Sequence, residues 1–253
     1  MGETRWEINL KKEIPENSFI IVGLPDVGLV GPISTSHLVR VFELEEIGYV
    51  DSPALPPVIL FHKGKPHFPV RIYGGYKGND YIVVLHADVA VPPAHIHELA
   101  SIIVEKALDV KAREIILLGG IAVPNRMKIE KPKTYVASIS REVMEAARAR
   151  GVEPLSDGFV GGIYAQILKE GFKRGVKTYA LLSECFFNYP DPGAAAATLE
   201  VLGRFIGHEV DVTKLLEQEE EIRIKLRELM KRTMEAMKGS GKEYEFTVPA
   251  LYA

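Results

Sequence analysis

Phe19-Ile20-Ile21-Val22-Gly23-Leu24-Pro25-Asp26-Val27-Gly28-Leu29-Val30-Gly31 is the stretch that decides the fold. Its first four residues form a continuous apolar run, three of them β-branched, which predicts a short strand buried on both faces. Gly23 to Gly28 is turn-rich. A helix then begins near Pro32, because proline suits a first helical turn. It carries Ile33, His37, Leu38 and Val41 at 3.6-residue spacing and ends before Gly48.

The same strand–loop–helix order recurs along the chain. Tyr81-Ile82-Val83-Val84-Leu85 is a strand, His86 to Pro93 its loop, and Ala94 to Val110 a helix with Ile96, Leu99, Ile103, Ala107 and Val110 on one face. Glu114 to Leu118 is a strand ending at Gly119-Gly120. Tyr135 to Ile139 is a strand followed by a helix through Glu142–Arg150. Gly158-Phe159-Val160-Gly161-Gly162 leads into a helix from Ile163 to Glu170, and Val176 to Leu182 is a strand. Apolar strands alternating with helices predict a mostly parallel sheet covered on both faces, a three-layer α/β/α core. Between Asp51 and Tyr76 the pattern changes: Val58-Ile59-Leu60-Phe61 and Pro69-Val70-Arg71-Ile72-Tyr73 predict two short strands forming a hairpin at one side of the sheet.

Ala194 to Ile206 is an alanine-rich helix stopped by Gly207. Asp211 caps the next, which runs from about Val212 to Lys238 and would reach about 40 Å if straight. Leu215, Ile222 and Leu229 are seven apart and Leu226 fills the intermediate seam position. Glu219→Arg223, Glu221→Lys225 and Glu228→Arg232 are i,i+4 pairs with the acid first. Such a seam either packs on its own core or pairs with the arm of another subunit. Gly239-Ser240-Gly241 then supplies a flexible joint before an alternating segment, Lys242 to Val248. The expected organisation is a core over residues 1–210, a helical extension over 211–238 and a hinged tail over 239–253.

The bulk properties narrow the function. The chain has 253 residues, 47% of them hydrophobic, and a formal net charge of −3. A near-neutral balance gives no footprint for nucleic acid. No apolar run is long enough for a membrane span. The N-terminal residues, MGETRWEINLKKEIPEN, lack the apolar core of a secretory signal. The single Cys185, within an apolar stretch, fits a reducing cytoplasm and a buried small hydrophobe.

Candidate chemistry is sparse. His86 and Asp88 follow a strand, where ligand sites of open α/β sheets lie, and read either as a base with its orienter or as a solvated histidine and a helix-approach cap. The Gly23–Gly31 loop is neither GxxxxGK[ST] nor GxGxxG, and no lysine follows it. His95 and His97 lie about 200° apart on a helix, which defeats joint metal binding. No serine stands in a GxSxG context.

The opening segment, Phe19 to Gly31, resembles the strand and loop that open the proteasome assembly chaperone 2 family in its archaeal branch. Asp51-Ser52-Pro53, Leu117-Leu118-Gly119-Gly120 and Tyr189-Pro190-Asp191-Pro192-Gly193-Ala194-Ala195 fit the same family, over about residues 15 to 230. The resemblance implies an α/β/α core similar to nucleoside phosphorylases, homo-oligomers, and no catalysis, hence no catalytic residue, cofactor or metal ligand. The chain end, Leu251-Tyr252-Ala253, resembles a second signature, the hydrophobic–tyrosine–any-residue ending of proteasome activators and chaperones. By that resemblance these three residues enter a pocket between α-ring subunits of the proteasome core particle, where the terminal carboxylate meets a lysine. The expectation is an ATP-independent, cytoplasmic proteasome chaperone or activator, a tetramer or pentamer, with no nucleic-acid or membrane partner. The residues themselves leave two alternatives: a small-molecule enzyme of nucleoside phosphorylase type using the Gly23–Gly31 and Gly119–Gly120 loops, and a plain oligomeric scaffold.

Overall fold

A computed structural model of the chain describes residues 5–238. The elements in order are β1 (Glu7–Leu10), β2 (Phe19–Gly23), α1 (Val30–Val41), β3 (Glu45–Asp51), β4 (Leu60–His62), β5 (Lys65–His67), β6 (Val70–Lys77), β7 (Asp80–Ala87), α2 (Ile96–Asp109), β8 (Glu114–Ala122), β9 (Thr134–Ala137), α3 (Arg141–Ala149), α4 (Gly162–Lys173), β10 (Thr178–Cys185), α5 (Pro192–Ile206), α6 (Thr213–Glu217), α7 (Glu219–Lys225) and α8 (Arg227–Met237). A 3-10 turn, Val27–Leu29, precedes α1.

Eight strands form one sheet in the order β1-β3-β6-β7-β2-β8-β10-β9. The central four, β7, β2, β8 and β10, are parallel, as their continuous apolar runs predict. The flanking strands join antiparallel, so the sheet is mixed. Strand residues alternate between two cores. Phe19, Ile21, Ile82, Val84, Ile116, Leu118, Tyr179 and Leu181 face α1, α3 and α5. Ile20, Val22, Val83, Leu85, Ile115, Leu117, Ala180 and Leu182 face α2 and α4. This is the three-layer α/β/α arrangement.

Two expectations are corrected. The segment from Val70 does not form a side hairpin with Leu60: β4 pairs with β5 in a small separate ribbon turning at Lys63 and Gly64, both at positive φ, and β6 joins the main sheet between β3 and β7. Val70 and Ile72 enter the core while Arg71 and Tyr73 face the other side, an alternation that an in-sheet strand satisfies. Likewise, residues 213–237 are not one continuous helix. The path bends at Gln218 (ψ 16) and Leu226 (ψ 3) into α6, α7 and α8. The bends keep Leu215, Ile222, Leu226 and Leu229 against the core that α5 covers, so the seam packs on its own subunit. Asp211 lies one residue before the N-cap position, Val212, and accepts from the N–H of Thr213, the first residue of α6, at 3.0 Å, and all three predicted acid-first pairs form.

Close approach of β2 to α1 requires glycine at position 23, where a Cβ would stand 2.4 Å from both the Gly31 carbonyl oxygen and Thr35 Cγ2. Gly23→Ala is expected to lower stability by about 1–3 kcal/mol through overpacking, read from urea unfolding midpoints. An unchanged midpoint would contradict this packing.

Candidate functional site

In an open α/β sheet, ligands bind beyond the carboxyl ends of the strands, where the chain switches direction across the sheet. Here that place lies beside β2: the chain leaves β2 through α1 for β3 on one side, and passes from β7 through α2 to β8 on the other. The protein fills it with its own atoms. Val27 and Leu29 are fully buried, and Gly28 (φ 62) lets the turn settle against Cys185. At Gly120 a Cβ would lie 2.3 Å from Cys185 Sγ, and at Gly119 it would lie 2.5 Å from the Tyr164 ring. The glycines of both loops therefore serve close packing rather than an open phosphate cradle.

Tyr164, from α4, closes this region from below. Its hydroxyl donates to the Leu118 carbonyl at 2.6 Å and accepts from the Leu24 N–H at 3.0 Å. Full burial, with the Asp26 charge nearby, pushes the phenol far above its ordinary range, so it stays a neutral donor. Above, α8 covers the turn: Met230, Thr233 and Met237 are buried, and a cavity of about 30 Å³ remains between Pro25, Asp26, Ile163, Thr233 and Met237. That holds about one water.

Beside it lies a buried ion pair. Arg126 Nε and Nη2 donate to Asp191 Oδ2 and Oδ1 at 2.8 and 2.9 Å, a bidentate fork. Asp191 is fully buried, caps α5 through Ala194 N–H (3.0 Å) and accepts from Phe186 N–H (3.0 Å). The Arg126 guanidinium lies 5.1 Å from the Phe186 ring and that of Arg223, from α7, lies 5.7 Å from it. This cluster ties the loop after β8, the loop after β10 and the C-terminal helices together. Arg126 has no distinguishing sequence signal. Asp191, directly before Pro192 at a helix start, carries the signature of an N-cap.

The His86–Asp88 pair is neither solvated nor a helix cap. His86 is 5% exposed, its Nδ1 lies 2.8 Å from Thr35 Oγ1 and its Nε2 3.3 Å from Asp88 Oδ1; Asp88 also pairs with Arg71. Burial raises the Asp88 pKa, but His86 and Arg71 more than offset this and hold it below the usual carboxylate range. His95 pairs with Glu98 at 2.8 Å and His97 is exposed, as expected of a surface helix start. Among the described residues, no group of three His, Cys, Asp or Glu is placed to hold a metal, and no helix is long and apolar enough to cross a membrane. Leu251, Tyr252 and Ala253 lie outside the described residues.

Asp191→Asn leaves Arg126 buried without its counter-charge and is expected to cost about 3–5 kcal/mol, read by chemical denaturation. Asp88, whose folded pKa is depressed, contributes stability present above its unfolded pKa and lost as pH falls through the folded value. Asp88→Asn should therefore flatten the fall in stability as pH drops below the ordinary carboxylate range; an unaltered slope would count against the assignment.

Residues 20–230 match the PAC2 family. An uncharacterized protein of Methanocaldococcus jannaschii is 30% identical over 229 residues, 90% of this chain and 92% of its own length. Among solved structures, Pyrococcus furiosus PbaA, described as an archaeal homolog of proteasome-assembly chaperone, superposes with a TM-score of 0.83 at 35% identity, covering 91% of this chain and 99% of PbaA. Pyrococcus furiosus PbaB, described as an archaeal proteasome activator, has a TM-score of 0.75 at 24% identity over 88% and 98% of the two chains, which shows the shared fold. With its sheet, its crossovers and most of its length accounted for in this way, the chain belongs to the PAC2 family and is similar to PbaA along nearly its whole length.

Proposed function

We propose that the protein is an ATP-independent proteasome assembly chaperone or activator whose Leu251-Tyr252-Ala253 end docks on the α ring of the proteasome core particle. The observation that carries this reading is the near full-length similarity to PbaA, combined with this chain's own hydrophobic–tyrosine–any-residue ending. The chemistry is reasonable. A terminal carboxylate is a fixed acceptor whose bonds to a lysine are charge-assisted. A tyrosine suits a half-buried slot with a polar rim. Pro249 limits the freedom lost on docking.

One such tail binds weakly. A homo-oligomer, tetramer or pentamer, presents several, and matched spacing raises avidity by about 10²–10⁴. The tails then stabilise ring intermediates, or favour the open gate by binding that state more tightly. The nucleoside phosphorylase alternative is disfavoured, because the glycine loops it needs are packed against Val27, Tyr164 and Cys185.

Removal of Leu251-Tyr252-Ala253, or Tyr252→Ala alone, is expected to abolish co-sedimentation with proteasome core and any stimulation of peptide hydrolysis, while native mass spectrometry shows the oligomer intact. Undiminished co-sedimentation would overturn the proposal.

A further inference from the structure

On the α1 face of the sheet, past the carboxyl end of β7, a cleft of about 440 Å³ opens under the β4–β5 ribbon. It continues into one of about 530 Å³ between α1 and the C-terminal helices, the two sharing Ser36, His62, His86 and Asp88. Its size is that of a small-molecule site, and its composition is too: apolar walls around a few convergent polar groups. Val39, Leu60 and Phe61 supply the first wall, Leu215, Ile222 and Leu229 the second. Phe61 is 73% exposed, an aromatic ring held out on a two-strand ribbon that the core does not need.

The polar centre is Arg71. It stands opposite His86 in the β6–β7 register, so both side chains reach the same face. Tyr73 lies beneath the guanidinium, 5.6 Å from its centre. One nitrogen of the fork pairs with Asp88, whereas Nε is buried with no hydrogen-bond partner among the described residues. A guanidinium has five N–H donors, so Asp88 and the Tyr73 hydroxyl together leave part of the fork unused. The lining carries an excess of positive charge. Asp88 balances Arg71, and Glu221 balances Lys225. Arg40 and Lys63 remain on the walls with no carboxylate at ion-pair distance among the described residues. Arg40 instead donates to His37 Nδ1 at 2.9 Å, which orients it on the α1 surface.

We infer that this cleft binds a small organic oxyanion, a carboxylate or phosphate carried on an aromatic or apolar body. The oxyanion is held by the free side of the Arg71 fork, with Lys63 and Arg40 as flanking charges, and its body lies between Phe61, Leu60 and Val39. The position is separate from the filled switch-point beside β2, and the inference uses none of the residues of the proposed proteasome docking, so it stands or falls independently of that reading.

The test measures binding to the full-length protein by calorimetry and by thermal shift. The probes are benzoate, phenyl phosphate and inorganic phosphate, with benzyl alcohol and benzylamine as neutral and cationic controls. Benzoate or phenyl phosphate is expected to bind saturably and more tightly than inorganic phosphate, with neither control binding. Arg71→Gln is expected to weaken the anion about tenfold or more, and Lys63→Gln, at the exposed ribbon tip, by a few fold. Lys169→Gln, on the opposite face of the sheet, should change nothing. Should Arg71→Gln fail to fold, Lys63→Gln and Phe61→Ala, together with anion-induced shifts of the His62 and His86 imidazole resonances, carry the same decision. Equal binding of the neutral and cationic rings, absence of saturable anion binding, or anion binding indifferent to both Arg71 and Lys63 overturns the inference. Preference for benzoate identifies a carboxylate site, and preference for phenyl phosphate a phosphate site.

Discussion

The Tyr164 hydroxyl is bonded at once to the Leu118 carbonyl, midway along β8 and just past its last pairing with β2, and to the Leu24 N–H just past the end of β2. Two backbone groups that the central parallel strands leave over are thereby satisfied by one side chain from the opposite helical layer. An unmet polar group in such a place costs about 1–3 kcal/mol. Because Tyr164 stitches β2 and β8 from below, the Val27–Leu29 turn can drop onto them from above, provided that positions 23, 28, 119 and 120 carry no side chain. The region where related architectures hold a cofactor is, in this protein, part of the hydrophobic core.

That filled surface is what the C-terminal helices rest on. Met230, Thr233 and Met237 bury themselves against the turn, and Arg223 reaches the Phe186 ring that Arg126 flanks from the loop after β8. The Arg126–Asp191 fork adds directional bonding where dispersion alone would allow sliding, since a buried bidentate pair tolerates little displacement. The last described helix is thus rooted at a defined point on the carboxyl edge of the sheet. Under the proposed docking a fixed root matters, because effective concentration at a ring of sites depends on where each tether begins.

Strand and helix identity was largely legible from local pattern. The continuous apolar runs at Phe19–Val22, Tyr81–Leu85 and Ile115–Leu118 specify buried parallel strands, and Gly207 and Asp211 mark helix ends. Strands β1 and β3 escaped notice because Glu7–Leu10 and Glu45–Asp51 are half polar, as edge and next-to-edge strands are. The bends at Gln218 and Leu226 involve no glycine or proline. They arise because the seam residues follow the curved surface beneath them, which no local propensity records. Tyr164, Arg126 and Arg71 were unreadable for a related reason: each acquires its partners from segments 46, 65 and 17 residues away.

The sequence by itself determined the layered α/β architecture and the family, because burial periodicity and turn residues are local properties of the polymer. Only the tertiary structure decided that the glycine loops are packed shut, that the C-terminal seam folds onto its own subunit, and that Arg71, His86 and Asp88 share one cleft. Those outcomes depend on which distant surfaces meet, and excluded volume between them, rather than any single residue's preference, sets what space is left open.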